Sequence, residues 1–349
     1  MDSALNPRQE DAVKHIKSPL LVLAGAGSGK TRVITHKIAY LINKKGYAAE
    51  HIAAVTFTNK AAKEMKERVA ALLGRSAADE LRVSTFHTLG LNILRNDYGQ
   101  LGYRSGFSIF DAGDALALLQ DLAKHSVGDD DTEQAQWTIS NWKSALINPA
   151  TALKQAEDDR EAAVARLYKD YQRSLKAYNG VDFDDLIQQP VLLFRKYPKV
   201  LAAWRKRIRY LLADEYQDTN LAQYELMRLL AGKEGRFTVV GDDDQSIYTW
   251  RGANPENLRQ LAADYPKLTV VKLEQNYRSS GNILASANRL IANNDHLFEK
   301  RLWSANGPGD RISVIATADE HAEVEKVVTD IFMWRMGQRG DYGDCAILY

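Results

Sequence analysis

The stretch Leu20-Leu21-Val22-Leu23-Ala24-Gly25-Ala26-Gly27-Ser28-Gly29-Lys30-Thr31 constrains the fold of this chain more than any other. Pro19 precedes a short apolar run, three glycines break the segment after it, and Lys30 and Thr31 open a periodic segment. This is the pattern of a buried parallel strand entering a tight loop and then a helix. Glycines let the backbone close around an anion without Cβ clashes, and the first N–H groups of the helix point at it. In such a loop Ala26, Gly27, Ser28 and Gly29 line a triphosphate, Lys30 reaches its β- and γ-phosphates, and Thr31 ligates Mg²⁺. The phosphate-loop pattern G-x-x-x-x-G-K-[ST] asks for glycine at position 24, where this chain has Ala24. A Gly-Lys-Thr between strand and helix still favours a nucleotide site over a turn that binds nothing.

Alternation of strands and helices sets the fold class. Ile52 to Thr56, Leu81 to Ser84, Ile208 to Ala213, Phe237 to Val240 and Thr269 to Leu273 have the composition of strands. Helices lie between them, as from Asn59 to Gly74, where Thr58 caps the start. This implies an α/β fold with a parallel sheet and right-handed crossovers, whose ligands gather at the carboxyl ends of the strands. Phe57, Thr58, Asn59, Lys60, Thr85 and His87 fall at such ends. From about Leu89 to Pro198 helical periodicity dominates, which predicts an all-helical insertion with Trp137 and Trp142 in its core and an acidic loop at Asp129-Asp130-Asp131. In Asp182-Phe183-Asp184-Asp185, capping and the helix dipole explain the carboxylates better than a metal does. Later segments predict a helix from Ile283 to Asn293, a strand from Arg311 to Ala316, a helix from Glu320 to Met336 and a strand from Cys345 to Tyr349.

Three clusters carry chemistry. The strand ending at Ala213 finishes in Asp214-Glu215, where Asp214 can hold Mg²⁺ and Glu215 can take a proton from an attacking water. Gly241-Asp242-Asp243-Asp244-Gln245 resembles a metal cluster at first sight, yet Gln245 is the stronger candidate, since a neutral amide can contact both a γ-phosphate and a neighbouring segment. Tyr248 and Trp250 offer flat faces for bases, each contact worth ~1–3 kcal/mol without sequence preference. Arg278 suits a γ-phosphate contact from a second domain. Gln9 has the paired donor and acceptor that the edge of adenine requires, although alone it would be an ordinary solvated helix residue.

Composition narrows the classes. The 349 residues suggest two or three domains. With 46 Lys and Arg against 45 Asp and Glu, no global field attracts nucleic acid, and any such site must be a local groove. The lone Cys345 excludes a disulfide framework and fits a reducing cytosol. No apolar run approaches the ~18 residues that cross a bilayer, which predicts a cytoplasmic protein without a membrane partner.

Taken in order, these segments resemble the superfamily 1 DNA helicases of the Rep, UvrD and PcrA group, the Rep branch most of all. Ala24 to Arg32 is similar to motif I, in which Ala24 is the usual residue; Thr56 to Ala62 resembles motif Ia and Ser84 to Gly90 motif Ib. Asp214 to Asp218 resembles motif II, Val240 to Ala253 motif III and Leu273 to Ser279 motif IV. The resemblance implies that Gln9, Arg32 and Tyr277 surround the adenine of ATP, and that Lys30, Asp214, Glu215, Gln245 and Arg278 carry catalysis. It also implies that Phe57, Thr58, Asn59, Lys60, Thr85, His87, Tyr248, Trp250 and Arg251 line a DNA path. The implied activity is ATP- and Mg²⁺-dependent 3′-to-5′ translocation on single-stranded DNA and at fork or partial-duplex DNA, with replication or repair accessory proteins as partners. The implied division is a first RecA-like domain at 1–88 and 199–275, a helical insertion at 89–198, and the start of a second RecA-like domain at 276–349. Motifs V and VI have no counterpart, so the sequence is expected to be an N-terminal fragment that binds ATP but does not unwind. The rival expectations are a single-stranded DNA-binding module with a structural nucleotide site, a small-molecule kinase, and the helicase subunit of a nuclease complex.

Overall fold

The computed structural model of the chain describes residues 5–124, 132–294, 298–338 and 340–349; the expected acidic loop at Asp129-Asp130-Asp131 lies outside them. The strands are β1 (Leu20–Ala24), β2 (Ile52–Thr56), β3 (Arg82–Thr85), β4 (Ser108–Phe110), β5 (Gly180–Asp182), β6 (Tyr210–Ala213), β7 (Phe237–Gly241), β8 (Thr269–Leu273), β9 (Gln275–Asn276) and β10 (Trp303–Ser304). The helices are α1 (Pro7–Lys14), α2 (Lys30–Lys45), α3 (Asn59–Leu73), α4 (Arg75–Glu80), α5 (Phe86–Asp97), α6 (Ala112–Ala123), α7 (Thr132–Ser144), α8 (Pro149–Gln155), α9 (Asp159–Ala177), α10 (Asp185–Lys196), α11 (Pro198–Arg207), α12 (Leu221–Ala231), α13 (Glu256–Asp264), α14 (Gly281–Ile291) and α15 (Glu320–Gln338).

Period-two burial builds the main body. Along β1, Leu21 and Leu23 enter one core with α5, α10 and α12, while Leu20, Val22 and Ala24 enter the other with α1, α2 and α3. A strand buried on both faces has to be apolar throughout, which is why Leu-Leu-Val-Leu-Ala is continuous rather than alternating. Six strands pair in parallel in the order β3-β2-β6-β7-β1-β8. β1 lies between β7, with Leu20 opposite Thr238, and β8, with Leu20 opposite Thr269. The expected α/β class with a parallel sheet is therefore the observed one.

The helical insertion has a core of its own, drawn from α6 to α9 and including Leu119, Ile139, Tyr168 and Tyr171. It is not all helical, because Ser108–Phe110 and Gly180–Asp182 form a short parallel ladder. Trp142 packs there and stacks on Tyr168 at 6.1 Å between ring centroids. Trp137 does not: it is 53% exposed. The buried face of α7 is Ala135, Ile139 and Lys143, and Trp137 lies two residues past the first of these, on the other side of the helix. In the Asp182–Asp185 segment the capping expectation holds in part, as Asp182 accepts the Asp185 N–H at 2.8 Å. The larger reason for these carboxylates is Lys143, whose buried ammonium lies at 2.6 Å from Asp182 and 3.2 Å from Asp185. Burial disfavours that charge, and the two aspartates outweigh it, pushing the Lys143 pKa up.

Two expected strands are absent. Residues 311–316 and 346–349 are exposed, and neither 311–316 nor 345–349 pairs with a ladder among the described residues. An apolar alternation becomes a strand only where a neighbour supplies partners for its N–H and C=O groups. No helix among the described residues is long and apolar enough to cross a membrane.

One contact sets how closely the helices approach. A Cβ added at Gly90 of α5 would lie 1.8 Å from the Leu186 carbonyl oxygen of α10. Gly90→Ala is therefore expected to lower stability by at least about 2 kcal/mol, in the range of overpacked cores, read as a lower urea midpoint with unchanged slope. An unchanged midpoint would contradict the close packing of α5 on α10.

Candidate nucleotide site and nucleic-acid groove

The loop after β1 takes its shape from two left-handed glycines, Gly27 at φ +70° and Gly29 at φ +90°. Ser28 tightens it, its hydroxyl donating to the Gly25 carbonyl at 2.7 Å. Two outside elements brace it. From α1, the buried Gln9 amide donates to the Ser28 carbonyl at 2.9 Å and accepts the Asn6 N–H at 3.1 Å. From the other side, Asn276 donates to the Ala26 carbonyl at 2.6 Å, and the Tyr277 N–H donates to the Gly27 carbonyl at 2.9 Å. A Cβ on Gly29 would meet the Gln9 amide nitrogen at 2.8 Å, so the loop and α1 fit only with glycine there. Gln9 thus stands where the sequence puts it, at the loop, with both ends of its amide engaged in holding the loop's shape.

Lys30 opens α2 and sends its ammonium to Glu215 at 2.8 Å and to the Gln245 carbonyl oxygen at 3.2 Å. Asp214 is buried at the tip of β6, where burial first and Glu215 second push its carboxyl up to about 6. Glu215 has φ +48°, a left-handed backbone that costs a non-glycine residue on the order of 1–2 kcal/mol and turns its side chain toward Lys30. Thr31 is half-buried in the first turn of α2. The Thr31 hydroxyl and Asp214 carboxylate are hard oxygen donors of the kind Mg²⁺ takes, and with the cradle of Gly27 and Gly29 the residues fit a magnesium-bound phosphate. Arg32 is half-buried beside the loop. Tyr277 is 47% exposed, its hydroxyl accepting from Asn6 at 2.7 Å. Arg278 is exposed next to Gly27, with its N–H donating to Asn276 at 2.8 Å.

Sequence reading gave no role to Gln217, which joins two strand tips. Its amide donates to Glu215 at 3.0 Å, and its oxygen accepts the Asp242 N–H at 3.0 Å. Asp242, Asp243 and Asp244 are close enough together to suggest a metal. Lys300 fills that role instead, bonded to Asp242 and Asp243 and lying 2.8 Å from Asp244. Burial works against its charge, and the three carboxylates overcome burial and push its pKa up. No local pattern announces this pairing, because Lys300 and Asp243 are 57 residues apart.

The second half of the site is a groove of about 300 Å³. Phe57, His87, Tyr248 and Trp250, all expected along a DNA path, line it together. Phe57 stacks on Tyr248 at 5.1 Å and 24°, and Trp250 lies at 6.3 Å from Tyr248. The helical insertion also lines it, through Trp137 and Asn141, and Phe183 meets His87 edge-on at 6.4 Å. Thr58 and Thr85 are not part of this lining: their hydroxyls cap α3 and α5, accepting the N–H groups of Ala61 and Thr88 at 3.1 and 3.2 Å. Asn59 and Lys60 are exposed at the start of α3. The side chain of Arg251 lies outside the described residues.

Removing Lys300 would leave three carboxylates buried together. Lys300→Met is expected to destabilise the chain by about 3–5 kcal/mol at neutral pH. The deficit should narrow as pH falls, because the clustered aspartates, without the Lys300 charge, then bind protons more readily folded than unfolded. Urea titrations at pH 7.5 and 5.0 check both, and an equal deficit at the two values would contradict the charge cluster.

Comparison with known proteins agrees with this geometry. Residues 5–266 match the UvrD/REP helicase N-terminal domain, and residues 271–349 match the UvrD-like helicase C-terminal domain. The chain is 55% identical over 347 residues to the ATP-dependent DNA helicase Rep of Salmonella typhimurium and, equally, to that of Escherichia coli, covering 99% of this chain and 52% of each relative. It is 44% identical over 349 residues to the ATP-dependent DNA helicase PcrA of Staphylococcus aureus, covering 47% of that protein. The chain spans about half the length of the curated relatives it matches. With a phosphate loop, an Asp-Glu strand tip and an aromatic groove on one sheet edge, and with both domain matches together spanning nearly all of its length, the chain belongs to the UvrD/REP helicase family.

Proposed function

We propose that these residues form the ATP-binding and strand-gripping part of an ATP-dependent DNA helicase that moves 3′-to-5′ on single-stranded DNA. One observation carries the reading: Gln245, bonded to Lys30, stands three residues before Tyr248 and five before Trp250, which line the groove. A change at the phosphates is thereby passed to the groove through one short segment.

In this reading Lys30 and the loop N–H groups bind the phosphates of ATP, and Gln9, Arg32 and Tyr277 surround its base. Thr31 and Asp214 would hold Mg²⁺, which neutralises phosphate charge during transfer. Glu215 accepts the proton of the attacking water. Bound phosphates compete with Glu215 for the Lys30 ammonium, so nucleotide binding frees the base at the moment it is needed. Gln245 and Arg278 contact the γ-phosphate, Arg278 from the second RecA-like domain that starts near residue 276. Phe57, His87, Tyr248 and Trp250 grip bases by stacking, while Thr58, Asn59, Lys60, Thr85 and Arg251 lie along the strand's path. Single-stranded, fork and partial-duplex DNA are the substrates, and accessory proteins of replication or repair are the partners. Closure and reopening of two RecA-like domains around ATP alternate the grip and advance the strand.

The 349 residues alone are expected to bind ATP, hydrolyse it slowly and leave duplexes intact, since arginine contacts to transferred phosphate are worth ~10³–10⁵ in rate and Arg278 is the one such contact in this reading. Unwinding by this polypeptide at the rate of a full-length relative would contradict that expectation. Glu215→Gln should abolish residual hydrolysis while a fluorescent ATP analogue still binds, at least as tightly as to the wild type, because the competitor for Lys30 is gone. Unchanged turnover would instead favour a DNA-binding module whose nucleotide site is structural.

A further inference from the structure

The geometry points to Trp137, on α7 of the helical insertion, as a further base-stacking platform of the groove, one that faces bases rather than phosphates. This inference rests on reading the groove as a single-strand path.

Three observations carry it. Trp137 is 53% exposed, so its indole is accessible to a ligand in the groove. It lines the same groove as Phe57, Tyr248 and Trp250 but belongs to a different element, the helical insertion, so that a strand lying there meets aromatic side chains from both parts of the chain. The helix that carries it is held against the Trp250 turn: a Cβ built on Gly252 would lie 3.6 Å from the Ser144 side chain, and Asn220 donates to the Ser144 hydroxyl at 3.2 Å. The platform is thus fixed relative to the segment that also carries Gln245.

Charge decides which part of the strand meets it. Trp137 also borders a second cavity of about 350 Å³, which shares Ser140 and Asp184 with the groove. Its walls include Asp111, Glu133, Asp182 and Asp184, and among the described residues no lysine or arginine lines it. Asp182 is already matched by Lys143 at 2.6 Å, but the rim offers a phosphate no cation, whereas a neutral base can stack on the indole and donate its ring N–H or exocyclic amino groups to the remaining carboxylates. The insertion therefore turns the bases inward and leaves the phosphodiester backbone on the outer side.

Equilibrium binding of the full 349-residue chain to labelled oligothymidylate, and to an abasic strand of the same length, tests this. Trp137→Ala is expected to weaken oligothymidylate binding by about five- to a hundredfold, the span of one lost stacking contact. Trp137→Phe should recover most of that loss. The slope of log affinity against log salt should stay at the wild-type value, because no phosphate contact is removed. On the abasic strand, wild type and Trp137→Ala should bind equally. An equal loss on both strands would show a merely structural role and overturn the proposal. Wild-type binding by Trp137→Ala while Trp250→Ala is weakened would overturn it and leave the groove intact as a strand path. Wild-type binding by both variants would overturn the groove reading itself.

Discussion

Because every strand of the main sheet runs the same way, the carboxyl ends of β1, β2, β6 and β7 open on one edge, and everything functional in this chain depends on that alignment. β1 delivers the phosphate loop, β6 delivers Asp214 and Glu215, and β7 delivers the Asp242–Gln245 turn. The ion pair of Lys30 with Glu215 closes this edge. A slip of β1 by one residue against β7 would exchange its two buried faces and carry the loop away from both partners.

The edge is held rigid by polar contacts between elements far apart in sequence. Gln9 and Asn276 clamp the loop from two sides, Gln217 ties the β6 tip to the β7 turn, and the single charge of Lys300 bridges three aspartates. In each case a buried charge or amide is matched rather than left unpaired, which is what permits so many polar groups in a dry interior. Glu215 shows the cost of such a site, since its left-handed backbone is tolerated only because its carboxylate has both Lys30 and Gln217 to bind.

Most of the fold was legible because its signals are local. Continuous apolar runs marked the buried strands, and β2 and β8 begin and end where their composition says. Thr58 caps α3, as its position before the periodic segment implies. The positions of the glycine loop, the Asp-Glu tip and the aromatic pair were legible for the same reason, since each is a run of neighbouring residues at a strand end. Long-range pairing was not. Lys300 among the aspartates and Lys143 beneath Asp182 join distant segments, and no local pattern encodes them. Trp137 was misplaced for a subtler reason: with Ile139 and Trp142 it suggested one apolar stripe, yet the spacing from Ala135 to Ile139 already defines a face that leaves it out. The strands expected at 311–316 and 345–349 show the converse, since alternation alone does not make a strand without a neighbour to pair with.

We propose that the phosphate site and the aromatic groove act as two ends of one device joined through Gln245, Tyr248 and Trp250. Linkage tests it most directly. The affinity of the chain for a short single strand should be measured with and without a saturating non-hydrolysable ATP analogue and Mg²⁺. Coupling through this segment predicts a change of roughly five- to a hundredfold, matched by an equal change in nucleotide affinity when DNA is saturating. Identical DNA affinity with and without the nucleotide, in a chain that binds both, would contradict the account.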